Sequence, residues 1–210
     1  MKLVSTNNLV LAIGAALTLA SGIVLAEAQY GYNTNTGPAV TAQARVNVTV
    51  NVPKLILLRV GSDNATVDTV AITATPSIPA VPTTPVVGNN TNVSWSGAAP
   101  TFTGSASGNV LAVSAWTNSS GGGQVGCAVT TAFPAASGLA GSNITVGSGA
   151  GLAHPGADTT CPAATTTAFA KNTVVTGTWT YGINAAGLTA LASAPAGSYT
   201  ETVTYTATSL

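Results

Sequence analysis

Thirteen consecutive residues from Val40 to Val52 alternate without error: Val40, Ala42, Ala44, Val46, Val48, Val50 and Val52 are apolar, and Thr41, Gln43, Arg45, Asn47, Thr49 and Asn51 are polar. A strict period of two over this length specifies a β-strand with one face for a core and one for water. Pro53 closes it, because proline cannot donate to the next rung of a ladder. Strands in ordinary domains run to roughly half this length. The feature therefore raises one question about the fold: whether the apolar face enters the chain's own core or another one.

The residues around this strand favour an all-β chain. Thr, Ser, Ala, Gly, Val and Asn dominate, and the β-branched content suits pleated sheets. No segment sustains a helical amphipathic period. Five basic and five acidic residues among 210 leave a net charge of zero, with no basic surface for nucleic acid or anionic lipid. Residues 1–28 read as a cleaved secretory signal peptide: Lys2 begins it, Leu9 to Leu25 are its apolar stretch, and Ala26-Glu27-Ala28 is a small-x-small site releasing a chain that starts at Gln29. The rival reading, an uncleaved anchor, is diluted by Gly14, Thr18, Ser21 and Gly22, in a run short of the roughly 20 residues that span a bilayer. Cys127 and Cys161, the two cysteines of an exported chain, most simply form one disulfide closing a loop of about 35 residues. A metal site would need more ligands than His154 adds.

In order along the chain, residues 29–39 form an aperiodic leader. Lys54 to Val60 reads as a second strand buried on both faces, and Gly61-Ser62-Asp63-Asn64 as a turn. A third strand is expected over Val67 to Thr75. The four prolines between Pro76 and Pro85 restrict that stretch to a surface connection or an edge. Further strands are expected at Asn92–Ser96, Thr101–Thr103, Asn109–Trp116, Gln124–Thr130, Asn143–Val146 and Lys171–Tyr181, where Trp179 and Tyr181 share a face. Ile183 to Leu191 suits a short helical or irregular crossover. In the last strand Thr200, Thr202, Thr204, Thr206 and Thr208 alternate with Tyr199, Val203, Tyr205 and Ala207, giving a threonine face for water and a mixed aromatic face inward. Short strands at this spacing, separated by Gly and Pro turns, point to an immunoglobulin-like antiparallel sandwich.

The chemistry of catalysis is thin. His154 is the one imidazole, read as a solvated loop residue. It can be grouped with Asp158 and a serine on paper, but no nucleophile elbow accompanies them. No enzyme, cofactor or metal is expected. The sequons at Asn47, Asn64, Asn89, Asn92, Asn118 and Asn143 follow from composition. Trp95, Trp116 and Trp179 are expected in the core, the alternative being a sugar platform.

Three local patterns, in this order along the chain, resemble the chaperone–usher fimbrial subunits, and most closely the colonisation-factor type. Val46-Asn47-Val48-Thr49-Val50-Asn51-Val52-Pro53 followed by Leu55-Ile56-Leu57-Leu58 is similar to a donor strand and first body strand. Trp116-Thr117-Asn118-Ser119 with the returning Val125 to Val129 is similar to a central hairpin, and Gly197-Ser198-Tyr199 with Val203 to a final strand. The proline-rich stretch and the disulfide-closed insertion 127–161 depart from that subtype.

The resemblance implies a signal peptide (1–28), an N-terminal extension (29–53) whose donor strand is 40–52, and an incomplete sandwich (54–210) completed by the extension of a neighbouring subunit. It implies identical or related pilin subunits, a periplasmic chaperone and an outer-membrane usher as partners. The location would be a cell-surface fimbria serving adhesion or biofilm formation. The competing expectation is a self-contained secreted sandwich that binds a carbohydrate or surface ligand, with 40–52 as its own first strand.

Overall fold

The computed structural model describes residues 27–34, 37–63 and 66–210. The signal segment, apart from Glu27 and Ala28, and the sequon residue Asn64 therefore lie outside the described residues. The chain divides into two compact units at Val52/Pro53.

In the first unit, residues 40–52 have no ladder partner among the described residues. Val46, Val48, Val50 and Val52 are 84%, 81%, 78% and 76% exposed. Arg45, on the polar face, donates from Nε and Nη2 to the Glu27 carboxylate at 2.9 Å.

The second unit is all-β, with nine strands among its described residues: β1 (Ile56–Val60), β2 (Ala71–Ser77), β3 (Thr101–Ser107), β4 (Val110–Thr117), β5 (Gly123–Thr131), β6 (Ile144–Ser148), β7 (Thr167–Phe169), β8 (Val175–Ile183) and β9 (Thr202–Ser209). One helix, α1 (Ala185–Leu191), fills the expected crossover. The Asn184 side chain starts it by accepting the Gly187 N–H at 2.9 Å, which satisfies one of the amides that the first turn leaves open.

All strand pairs are antiparallel, in a four-stranded sheet β1-β4-β8-β6, a three-stranded sheet β7-β5-β9 and a two-stranded ribbon β2-β3. Both larger sheets feed one core. Val113 and Ala115 come from β4, Ile144 and Val146 from β6, Trp179 and Tyr181 from β8, Val125 from β5 and Phe169 from β7. The alternation of β8 places Trp179 and Tyr181 on the buried face together, as their spacing predicts. Trp179 is fully buried, and its indole N–H donates to the Leu152 carbonyl at 2.9 Å, so the largest side chain of the core leaves no orphan donor. The Cys127–Cys161 disulfide is formed.

Several expectations need correction. The segment 54–60 is not buried on both faces: β1 alternates, and Leu57 is 54% exposed. The reason is that only one face of its sheet packs on the core: Ile56, Leu58 and Val60 join that core, while Leu57 and Arg59 lie on the opposite, exposed face. The third strand starts at Ala71 rather than Val67, because Asp68 is held in the preceding turn, accepting the Ser62 backbone N–H and hydroxyl. Gly61 in that turn has φ +87°, and a Cβ there would strike the Asp68 carboxylate.

The same strand runs through Pro76, which opposes Phe102. A two-stranded ribbon has only edges, so the missing donor leaves no gap in a ladder. Asn92–Ser96 forms no strand beyond a single bridge from Trp95 to Ala80. Trp95 is accordingly 62% exposed rather than core, and Trp116 is half-buried. Tyr199 lies before β9 instead of within it, with its hydroxyl donating to the Pro195 carbonyl. The short strand β7 was not foreseen; three residues offer too little alternation to detect.

Candidate functional site

Among the described residues four strands end the two larger sheets, β1 and β6 in one and β7 and β9 in the other; of these, β1 pairs with β4 alone and β9 with β5 alone. The unpaired backbone groups of such edges accept an added strand. Between them lies a groove of about 910 Å³ whose apolar lining includes Leu58 and Val60 of β1, Val203 and Tyr205 of β9, and Val70 and Ile72 of the β2 arm. Leu58, Val60, Val203 and Tyr205 all belong to inward positions of alternating strands. Their spacing therefore follows from the same period of two that was readable in the sequence.

The floor of the groove carries a polar relay. Tyr181 on β8 and Tyr205 on β9 bring their hydroxyls to 2.8 Å, and Tyr205 reaches His154 Nε2 at 2.8 Å. His154 Nδ1 lies 2.9 Å from the Gly156 carbonyl. A carbonyl only accepts, so Nδ1 carries the proton, Nε2 accepts from the Tyr205 hydroxyl, and Tyr205 oxygen accepts from Tyr181. Trp179 closes the group, its ring 4.9 Å from the imidazole and 4.8 Å from Tyr205. Burial pushes both tyrosine hydroxyls up from their ordinary range, which keeps them protonated and able to donate.

His154 is thus not a solvated loop residue: it is 5% exposed. The insertion folds back into the core at Leu152 and Pro155, both fully buried, and carries the imidazole with them. Neither ring nitrogen faces a serine or Asp158, whose Oδ1 accepts from the Thr160 N–H instead. The residues grouped on paper as a triad are not brought together. The available sequence signal was the His-Pro pair inside a segment held by a disulfide, which tethers it close to a strand. Among the described residues no group of three or more His, Cys, Asp or Glu side chains could hold a metal ion.

At the rim, Glu201 accepts a hydrogen bond from Thr159 at 2.5 Å, and burial raises its carboxyl above the usual range. For His154, burial outweighs the Gly156 and Asp158 contributions and lowers its pKa below the ordinary histidine value. In the unfolded chain the imidazole takes a proton near pH 6.5, whereas in the fold it resists one. The stability tied to a neutral His154 is full above about pH 7 and declines as pH falls through 6.5 toward the folded value. Urea unfolding at pH 7.5 and 5.5 should show a lower midpoint at 5.5, and His154→Gln should flatten that slope. An unchanged slope in the variant would refute the assignment. Glu201 acts in the opposite sense, because its raised pKa favours the protonated fold as pH falls, and the comparison with His154→Gln, in which Glu201 is unchanged, isolates the imidazole.

The residues expected to form a donor strand, Val40, Ala42, Ala44, Val46, Val48, Val50 and Val52, are all exposed in the first unit. Of those expected in the final strand, Val203 and Tyr205 line the groove directly, and Tyr199 lines it from the segment before β9. Among the described residues no helix is long and apolar enough to cross a membrane. No family model matches the chain, and neither a curated protein nor a solved structure is found to be similar to it.

Proposed function

We propose that the chain is a structural subunit of a surface fimbria that polymerises head to tail, residues 40–52 of one copy filling the groove of the next. One observation carries this reading. The first unit offers an alternating segment with no ladder partner among the described residues and five exposed valines, while the second offers an apolar groove flanked by two free strand edges. In this reading the second unit is an immunoglobulin-like sandwich lacking one strand. Insertion satisfies the edge amides and carbonyls of β1 and β9, and the alternate valines remove the groove's apolar lining from water.

Burying Val40, Val46, Val48, Val50 and Val52 contributes on the order of 7 to 12 kcal/mol before ordering costs. Such a joint opens slowly. Donor and acceptor are different surfaces, so the contact is heterologous and propagates into a filament. The resemblance adds a periplasmic chaperone to cover the groove before assembly and an outer-membrane usher to pass subunits to the surface, where the filament serves adhesion or biofilm formation.

The test is an unheated SDS gel of the native protein. A ladder of multimers that collapses to monomer on boiling is expected; monomer alone in the unheated lane refutes strand donation.

A further inference from the structure

The side chain of Asn118 holds the point where the extension joins the second unit. Its Nδ2 donates to the Pro53 carbonyl at 2.8 Å, and its Oδ1 accepts the Leu55 N–H at 2.7 Å. The Asn118 N–H donates to the Leu55 carbonyl at 3.3 Å, and the Thr117 hydroxyl donates to the same oxygen at 2.9 Å. Ile56 opposes Thr117 in the β1–β4 ladder, so these bonds carry the line of β1 backward through Leu55 to Pro53. An asparagine side chain presents a donor and an acceptor side by side, as a backbone amide does, and here it stands in for the next rung.

The same turn pins β9. The Ser119 hydroxyl donates to the Leu210 carbonyl, the Leu210 N–H donates to the Gly122 carbonyl at 2.9 Å, and Gly123 opposes Ser209. Ile56 and Ser209 therefore meet at the 117–123 turn. From there β1 runs toward Val60, and β9, followed backward, toward Thr202, so the two strands are antiparallel. The residues lining the groove on the two strands are Leu58, Val60, Thr202, Val203 and Tyr205, with no contribution from Ile56, Ala207 or Ser209. The groove thus runs along the halves of β1 and β9 that lie away from Asn118.

Val52 is bonded directly to Pro53, so no linker separates the donor segment from the Asn118-held start of β1, and the groove lies beyond it along β1. For 40–52 to enter the groove of its own chain, the backbone must reverse direction within 53–55 and surrender the bonds to Asn118. Entry into another copy leaves them intact. We infer that Asn118 is a positioning residue that selects donation between chains over insertion within one, an inference that rests on the strand-donation reading above.

Full-length protein and its Asn118→Ala and Asn118→Asp variants separate the outcomes. Multimer content is read by size exclusion and unheated SDS gels, and the fate of residues 29–52 in the monomer by limited proteolysis. Asn118→Ala loses both side-chain bonds and should raise the monomer fraction on the order of tenfold, with the extension of that monomer protected from protease because it is inserted in its own groove. Asn118→Asp keeps the acceptor for Leu55 and loses the donor to Pro53, so it should lie between. It carries the test if the alanine variant does not fold.

Variants as multimeric as the parent overturn the role of Asn118 while leaving strand donation standing. So does a variant monomer whose extension is readily cleaved, since the segment is then free rather than self-inserted. A parent protein that is monomeric overturns both.

Discussion

Val48→Asp is expected to remove multimers almost completely while leaving the unfolding of the monomer unchanged. The side chain is 81% exposed and its segment has no ladder partner among the described residues, so an aspartate there meets water in the free chain and alters the stability of the second unit by no more than about 0.5 kcal/mol. In the proposed strand-donated state the same position would face an apolar lining. Burying a carboxylate without a partner costs several kcal/mol, by either desolvating the charge or protonating it. Loss of the valine's own contribution, roughly 1.5 to 3 kcal/mol, adds to that. The sum corresponds to at least about a thousandfold in the association constant.

Thr49→Asp is the control. Thr49 lies on the polar face of the same segment, so the charge stays in water in both states and multimers should persist. Thermal unfolding of the monomer and unheated SDS gels measure the two quantities separately. Multimers that survive Val48→Asp, or that vanish equally in Thr49→Asp, would contradict burial of the valine face in a partner.

The alternation that supports this prediction was fully legible in the sequence, because a period of two needs no tertiary information. The same holds for β9, whose threonines at 202, 204, 206 and 208 are exposed and whose Val203 and Tyr205 face inward, and for Trp179 and Tyr181. What was not legible depended on contacts between distant residues. Leu57 looked buried because a short apolar run reads alike whether one face or both are covered. Trp95 looked like core on size alone, yet its segment supplies only a bridge to Ala80.

His154 was misread for the opposite reason. Its neighbours are Gly, Ala and Pro, which usually mark solvent-exposed loops, but the insertion turns inward and exchanges water for Tyr205 and the Gly156 carbonyl. The groove itself was inferred by resemblance only. The free edges of β1 and β9 are properties of strand order, which no local pattern encodes. Asn118 was visible merely as part of a turn-forming tetrad, since its partners Pro53 and Leu55 lie more than sixty residues away.

Replacing both cysteines by alanine should cost the second unit about 3 to 4 kcal/mol, from the loop entropy returned to the unfolded chain when a 34-residue separation is no longer cross-linked. The consequence reaches the groove. The loop so closed carries Leu152, Pro155 and His154 into the core, and His154 holds Tyr205 on the β9 edge. Without the cross-link, local opening of this insertion becomes easier than global unfolding, and the Tyr205 ring loses its support in the open state. Hydrogen exchange at Ala153, His154 and Tyr205 should accelerate more than exchange at Val113 in the centre of β4. A uniform acceleration would instead indicate that the disulfide acts only on global stability.

The choice of replacement matters at one of the two positions. Cys161 has φ +50°, in the left-handed region that L side chains occupy at a cost of roughly 1 kcal/mol and glycine occupies freely. The Cys127→Ala/Cys161→Gly pair should therefore lose about 1 kcal/mol less than the double alanine variant, by urea unfolding of both against the oxidised parent. Equal losses would mean that the backbone at residue 161 relaxes out of this conformation once the cross-link is gone. The turn at Cys161 would then be imposed by the disulfide rather than by the surrounding chain.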